Sequence, residues 1–301
     1  MKNLILTLFV CVSALYSCDN DSVKADDSAI VQKGGLNVYT YEGLTLKYSK
    51  SIKLNEVKPV IVRMKKAIDY FNKYISEEKM VVTVTVLAKN DWEKHTAVKP
   101  YGMPHVADKR SLIIAHENNA FWKGTIPPEN SLSKSEMDEF KRVYSDAQGN
   151  INMKVFFDLL AVHELGHIVA EEANVDIPKS WLDEFYANYF LHGYIATVEP
   201  KLMDALTLSP NINVKKLKVK YKTLQEFEEY YGDGMEALNY SWFQSRYHQI
   251  AKEVYDKTGN EGIAKMFKKF KGILPEKTNE ELIDYLEKEV DANIANAFRN
   301  F

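Results

Sequence analysis

The sequence predicts an α+β fold, with an N-terminal lobe of mixed β-sheet and helix followed by a C-terminal helical lobe. Every segment patterned as a strand lies before residue 116. From Ser133 onward nearly every segment carries helical spacing. With 301 residues, 46% hydrophobic and 27% charged, the chain is long and apolar enough to bury two such lobes around a cleft.

Taken in order, residues 38–41 and 44–48 are β-rich and flank Glu42-Gly43, a hairpin signal. Residues 57–75 have helical spacing, and 80–87 (MVVTVTVL) alternate as a half-buried strand does. Residues 111–115 (SLIIA) form another short strand. The helices of the second lobe are expected at 153–173, 181–196, 223–231, 241–257, 261–271 and 279–298. The N-terminal lobe is taken as 36–150 and the helical lobe as 151–301.

Thirty-nine Lys plus Arg against 42 Asp plus Glu leave a net charge of −3, so there is no basic excess of the kind that wraps nucleic acid. The only strongly apolar run without charges lies in the first 18 residues, which excludes a membrane-spanning bundle. Lys2 precedes that run, and Leu15-Tyr16-Ser17-Cys18 resembles a bacterial lipobox. The resemblance implies a signal peptide over 1–17, lipid on Cys18, and a membrane-anchored protein of the cell envelope, on the outer membrane of a diderm bacterium. Only two cysteines, Cys11 and Cys18, are present, so the processed chain has one and forms no internal disulfide. Residues 18–35 are polar and acid-rich and read as a flexible tether. Their acids resemble surface-export signals and equally suit a solvated linker.

The chemistry is concentrated in His163-Glu164-Leu165-Gly166-His167, an H-E-x-x-H pentapeptide inside an apolar helical stretch. Residues four apart on a helix share a face about 6 Å apart, so both imidazoles can hold one Zn²⁺. Glu164 is then placed as the general base that takes a proton from the zinc-bound water. Two imidazoles and a carboxylate in so apolar a helix need partners, which a metal and its water supply together.

A catalytic zinc needs a third protein ligand. Ala170 and Ala173 stand where the metzincin pattern requires glycine and histidine, so that family is excluded. Residues 174–178 break the helix, and Ser180, with Asp183 in the capping-box position, is expected to cap a return helix. In that hairpin Glu184 comes level with His167 and can reach the metal; His192 is a competing ligand two turns further on. HELGH followed by Trp181-Leu182-Asp183-Glu184-Phe185-Tyr186-Ala187 resembles the gluzincin metallopeptidases, aminopeptidase N and its relatives in particular. Asp183 stands where that family has asparagine and Phe185 where it has glycine, and the gap between second histidine and glutamate is shorter.

The resemblance implies zinc peptidase activity, with His163, His167 and Glu184 as metal ligands and the pentapeptide helix at the cleft. Two weaker matches extend it. Leu238-Asn239-Tyr240-Ser241-Trp242 resembles the segment whose tyrosine stabilises the oxyanion, which makes Tyr240 the candidate; core packing is the other reading of that residue. Tyr101-Gly102-Met103-Pro104-His105 resembles the substrate-binding segment before a peptide-pairing edge strand, with Gly102 and Met103 matching. Pro104 replaces the glutamate that grips a free α-amine, which argues against strict aminopeptidase activity. The alternative is a catalytically inactive peptide- or protein-binding lipoprotein on the same scaffold, and the intact Glu164 argues against it.

Overall fold

The structure, a computed structural model, describes residues 31–301 apart from 233, 273 and 274. The expected signal peptide, Cys18 and the tether up to residue 30 lie outside the described residues. Among the described residues no helix is long and apolar enough to cross a membrane. They divide into two compact units, one of 31–65 and 81–161, the other of 66–80 and 162–301. The chain passes between units at three points: inside α1 (Leu54–Tyr74), at 80/81 in the segment after it, and inside α5 (Lys154–Glu172). A helix is a continuous apolar pattern, and nothing in its periodicity marks the residue at which its neighbours change.

The first unit is built on a six-stranded sheet: β1 (Val31–Lys33), β2 (Leu36–Tyr41), β3 (Leu44–Ser49), β4 (Thr83–Leu87), β5 (His105–Asp108) and β6 (Ser111–Ala115), in the order β1-β2-β3-β4-β6-β5. Two-residue turns fix the register of the first three strands. Lys33 pairs with Leu36 across Gly34-Gly35, and Tyr41 with Leu44 across Glu42-Gly43. All four turn residues have positive φ (60°, 83°, 44° and 83°), as the type I′ hairpin turn requires. Residues 31–35, expected in the tether, thus form a strand and turn; three residues are too short a run to show in composition. β3, β4 and β6 are parallel, so helical crossovers connect them: α1 between β3 and β4, and α2 (Lys89–His95) after β4.

Thr85, Val84, Val86 and Leu87 are all buried, because β4 is central and parallel rather than half-exposed as its alternation suggests. β5 lies antiparallel outside β6, so the expected edge strand at 111–115 is the second from the edge. The sequence of β5 (HVAD) is too short and polar to declare itself. Two further helices follow, α3 (Ala120–Lys123) and α4 (Lys134–Tyr144), the latter opened by a capping box of Ser133 and Glu136.

The second unit is helical: α6 (Ser180–Val198), α7 (Met203–Lys216), α8 (Leu224–Tyr230), α9 (Ala237–Lys269), α10 (Asn279–Tyr285) and α11 (Ala292–Arg299). From Trp181 to Ile195 every residue of α6 except Asp183 is buried. A helix apolar on all sides has to be surrounded, and α8 and α9 pack against it while α9 also meets α7 and α11. Gly259 (φ 58°) interrupts α9 where the sequence predicts a gap between two helices. Asp291, extended at φ −159°, breaks the expected helix 279–298; its carboxylate accepts from Asn293 N at 2.7 Å and caps α11. Pro210 sits inside α7, costing it one ladder bond and hiding its helical pattern.

Gly102 tests the packing of the first unit. Its φ is 109°, its carbonyl accepts from Trp122 Nε1 at 2.6 Å, and a Cβ there would overlap the Asn119 amide. Gly102→Ala is therefore expected to lower stability by about 1–3 kcal/mol, from left-handed strain and displacement of Asn119. Urea denaturation measures it; an unshifted midpoint would mean that this turn relaxes freely.

Candidate metal centre

The site lies within the helical unit, on α5 and α6. α5 ends in a Schellman motif: Asn174 takes φ 54°, Val175 N donates to Ala170 O at 2.9 Å and Asn174 N to Glu171 O at 3.1 Å. Asp176 N and Gly272 N then tie this turn to the chain beyond α9 through Phe270 O and Asn174 O. The chain reverses here, and α6 begins one residue earlier than expected. Lys179, not Ser180, occupies the N-cap and offers no side-chain cap. The free helix end is satisfied by Glu228 of α8, whose Oε1 accepts from Trp181 N at 2.8 Å. Asp183 is thereby released from capping and turns to His167.

Gly166 sets the distance between α5 and α6. A Cβ at that position would stand 3.1 Å from Ala187 Cα, so the helix backbones approach as closely as glycine permits. Glu184, one turn before Ala187, is thereby brought beside both histidines. His163 Nε2 lies 3.1 Å from His167 Nε2 and 3.3 Å from Glu184 Oε2, and His167 Nε2 lies 3.9 Å from Glu184 Oε2. In tetrahedral zinc with bonds of about 2.0–2.1 Å, ligand atoms are about 3.3 Å apart. The three observed separations bracket that edge, and two imidazoles with one carboxylate are a donor set suited to the ion. His163, His167 and Glu184 thus form a group able to hold a metal.

A second layer of side chains fixes the three. His167 Nδ1 is 3.1 Å from Asp183 Oδ2, which keeps a proton on Nδ1 and directs Nε2 inward. Around Glu184, Tyr231 Oη donates to Oε1 at 2.7 Å, Tyr240 Oη to Oε1 at 3.2 Å, and Gln244 Nε2 to Oε2 at 2.7 Å. Gln244 Nε2 also donates to Tyr240 Oη at 2.9 Å, and Asn188 Nδ2 donates to Gln244 Oε1 at 3.1 Å. Tyr231 and Gln244 escaped the sequence reading. Gln244 follows Tyr240 by one helical turn, a detectable spacing; Tyr231, at the end of a short helix, left no signal.

Charge in the site is strongly coupled. Burial disfavours ionisation of Glu184, yet the His163 hydrogen bond, the charges of His167 and His163, and the Tyr231 hydroxyl bring its pKa down to about 2. Burial likewise opposes charge on His167, but the Asp183 carboxylate, then Glu184 and Glu164, raise it to about 10. Burial, and after it the Glu184 charge, raise Tyr240 well above the ordinary phenol, so it keeps its hydrogen. Among the described residues, His163 Nδ1 and Asn188 Oδ1 are two of the buried side-chain atoms that find no hydrogen-bond partner.

Of the other sequence candidates, His192 is outside the group. Its Nε2 meets His248 Nδ1 at 3.1 Å, and burial holds it neutral with a pKa near 3. Gly102 and Met103 belong to the other unit, where Met103 is fully buried and its carbonyl is 2.9 Å from His105 Nδ1. Their contacts are those of a packed turn. His105 has both ring nitrogens engaged, by Met103 O and Thr96 Oγ1.

Zinc affinity, measured by competition with a chromogenic chelator, should fall about 10- to 100-fold in Asp183→Ala and in Gln244→Leu. Unchanged affinity in both would show that these side chains do not set the ligand geometry. Gly166→Val, which wedges α5 from α6, should lose zinc while retaining helical circular dichroism; retained stoichiometry would contradict the close-approach account.

No protein-family model and no curated protein matches the chain. Among solved structures, it is similar to an M1 zinc metallopeptidase from Deinococcus radiodurans, with a TM-score of 0.45 and 13% identity. The likeness covers 90% of this chain and 50% of the other, so the chain spans about half the length of that protein.

Proposed function

We propose that this chain is a zinc-dependent peptidase that hydrolyses peptide bonds in polypeptide substrates and is anchored by lipid on Cys18 to a bacterial cell envelope. The observation that carries the catalytic part is the convergence of His163, His167 and Glu184 beside Glu164, a carboxylate that metal binding does not require. The anchoring rests on the Leu15-Tyr16-Ser17-Cys18 sequence.

In this reading His163, His167 and Glu184 hold the ion. When bound there, zinc would supply Lewis acidity to the scissile carbonyl and to the attacking water. Glu164, whose charge is felt by both His167 and Tyr240, accepts the proton of the attacking water as its oxygen bonds to the carbonyl carbon. The same carboxylic acid then protonates the departing amine as the C–N bond breaks. Tyr240 retains the hydrogen that an oxyanion donor needs. Its hydroxyl is directed at Glu184 Oε1, and serving the substrate requires it to turn away; the shorter bond from Tyr231 keeps that oxygen satisfied meanwhile.

Glu164→Gln is expected to retain about one zinc per chain and to lose about 10²- to 10⁴-fold in peptide-library hydrolysis. Glu184→Ala should lose the metal itself, by elemental analysis. Full turnover in the Glu164 variant, or no zinc in the wild-type chain after reconstitution, would overturn the assignment.

A further inference from the structure

An open cavity of about 370 Å³ lies within the helical unit between α7 and α9, and none of the metal-site residues lines it. Thr207, Pro210 and Asn211 of α7 form one wall, and Arg246, His248 and Gln249 of α9 form the other. Pro210 and His248 are its buried floor, His248 resting on His192 with their ring nitrogens 3.1 Å apart. Gln249 Nε2 donates to Asn211 Oδ1 at 3.0 Å, which joins the two walls. Pro210 brings no N–H to Leu206 O, so the α7 wall is short of one ladder bond at this point.

Charge is divided along the α9 wall. Arg246, Gln249, Glu253 and Asp256 follow one another at intervals of three and four residues and share one face of the helix, with the cation at one end of the cavity and the acids towards the other. The acids have partners on their own helix: Asp256 Oδ2 lies 2.5 Å from Lys252 Nζ, and Glu253 Oε1 lies 2.8 Å from Lys257 Nζ. Both are exposed pairs four residues apart, a class that holds weakly and exchanges with other ions.

Arg246 is the exception. It is half-buried, and among the described residues it is ion-paired with no carboxylate. One guanidinium nitrogen donates to Gln249 Oε1 at 3.4 Å, the other to Asn300 O at 3.3 Å, and the group stands 5.8 Å over the Phe301 ring. Both bonds are long for a charged donor, and a guanidinium has five N–H groups to place. Burial lowers its pKa from the ordinary arginine value, with Glu253 pulling the other way. A half-buried fork with two weak neutral acceptors is suited to a carboxylate that can take two of its N–H groups at once.

We propose that this cavity binds a short peptide by its two ends, with the free C-terminal carboxylate on the Arg246 fork and the N-terminal ammonium at Glu253 and Asp256. From Arg246 to Glu253 the helix rises about 10.5 Å, and three residues of extended peptide span about 10 Å, so a tripeptide reaches from one end to the other. The lining sets two cations, Arg246 and Lys252, against two acids, Glu253 and Asp256. That balance suits a zwitterion and disfavours phosphate or a nucleotide, whose charge the acids would repel. Short peptides with free ends are what peptide hydrolysis releases, so the supply of the ligand rests on the peptidase reading, while its binding does not.

The test is isothermal titration calorimetry of the full chain, carrying Glu164→Gln so that the probe survives, with tri-alanine, its C-terminal amide and its N-acetyl form. Tri-alanine should bind about tenfold or more tighter than the amide, and tighter than the acetylated peptide. Arg246→Gln should remove the preference for acid over amide, and Glu253→Gln/Asp256→Asn the preference over the acetylated form, with circular dichroism and zinc content unaltered. A purely structural role for Arg246 would weaken acid and amide alike, and that result overturns the site. So do equal affinity for the three peptides, no measurable binding, or tighter binding of inorganic phosphate. Binding that persists unchanged in both variants belongs to the metal centre and also refutes the cavity. If the chain with Glu164 restored cleaves no peptide of a library, the peptidase reading fails, while the end-group preferences decide the cavity separately.

Discussion

A carboxylate 1% exposed, between two imidazoles, is the constraint around which the helical unit is arranged. Removing the Glu184 charge from water is costly, and the protein offsets it with every donor the neighbourhood can supply. Tyr231 and Tyr240 serve one oxygen, Gln244 and the histidines the other. Each donor comes from a helix that must stand in one place, so α5, α6, α8 and α9 are positioned by the needs of a single side chain. The network's charge is closed by Asp183, which balances His167 from outside the group.

The interior of α6 explains how so polar a centre survives in so apolar a bundle. Glu184, Asn188 and His192 recur every four residues on α6, and Tyr240, Gln244 and His248 recur likewise on α9. The two rows meet across the packed helices in successive hydrogen bonds, ending in the His192–His248 contact. Around this polar seam the helices bury aromatic rings: Phe185 meets Tyr189 and Phe298, while Phe227 meets Tyr240, Phe243 and Tyr247. A buried polar row in register between apolar flanks penalises any rotation of one helix against the other. Register at the metal centre is therefore fixed well beyond the first turn of ligands.

Much of the local structure was legible because it rests on short-range patterns. The hairpin at Glu42-Gly43, the strand at 111–115, the ends of α5 and the break at Gly259 all follow from residues within a few positions of each other. The elements that escaped have their cause in distant contacts or in runs too short to show a period. β1 and β5 are short strands that exist because β2 and β6 offer them backbone partners. Ser180 has the chemistry of a cap, yet Glu228, far along the chain, does the capping.

By itself the sequence determined that two imidazoles would share a helix face, with a carboxylate beside the first, because four-residue spacing is a property of the α-helix whatever surrounds it. It also determined that a reversal would bring Glu184 back towards them, since Asn174 and Pro178 interrupt helical geometry locally. Tertiary structure alone decided the rest. Asp183 serves His167 because another chain segment took over the cap, and Tyr231 and Gln244 hold Glu184 because α8 and α9 pack on α6. Those choices depend on which helices become neighbours, a matter of side-chain volume and close approach at residues such as Gly166, which no linear spacing records.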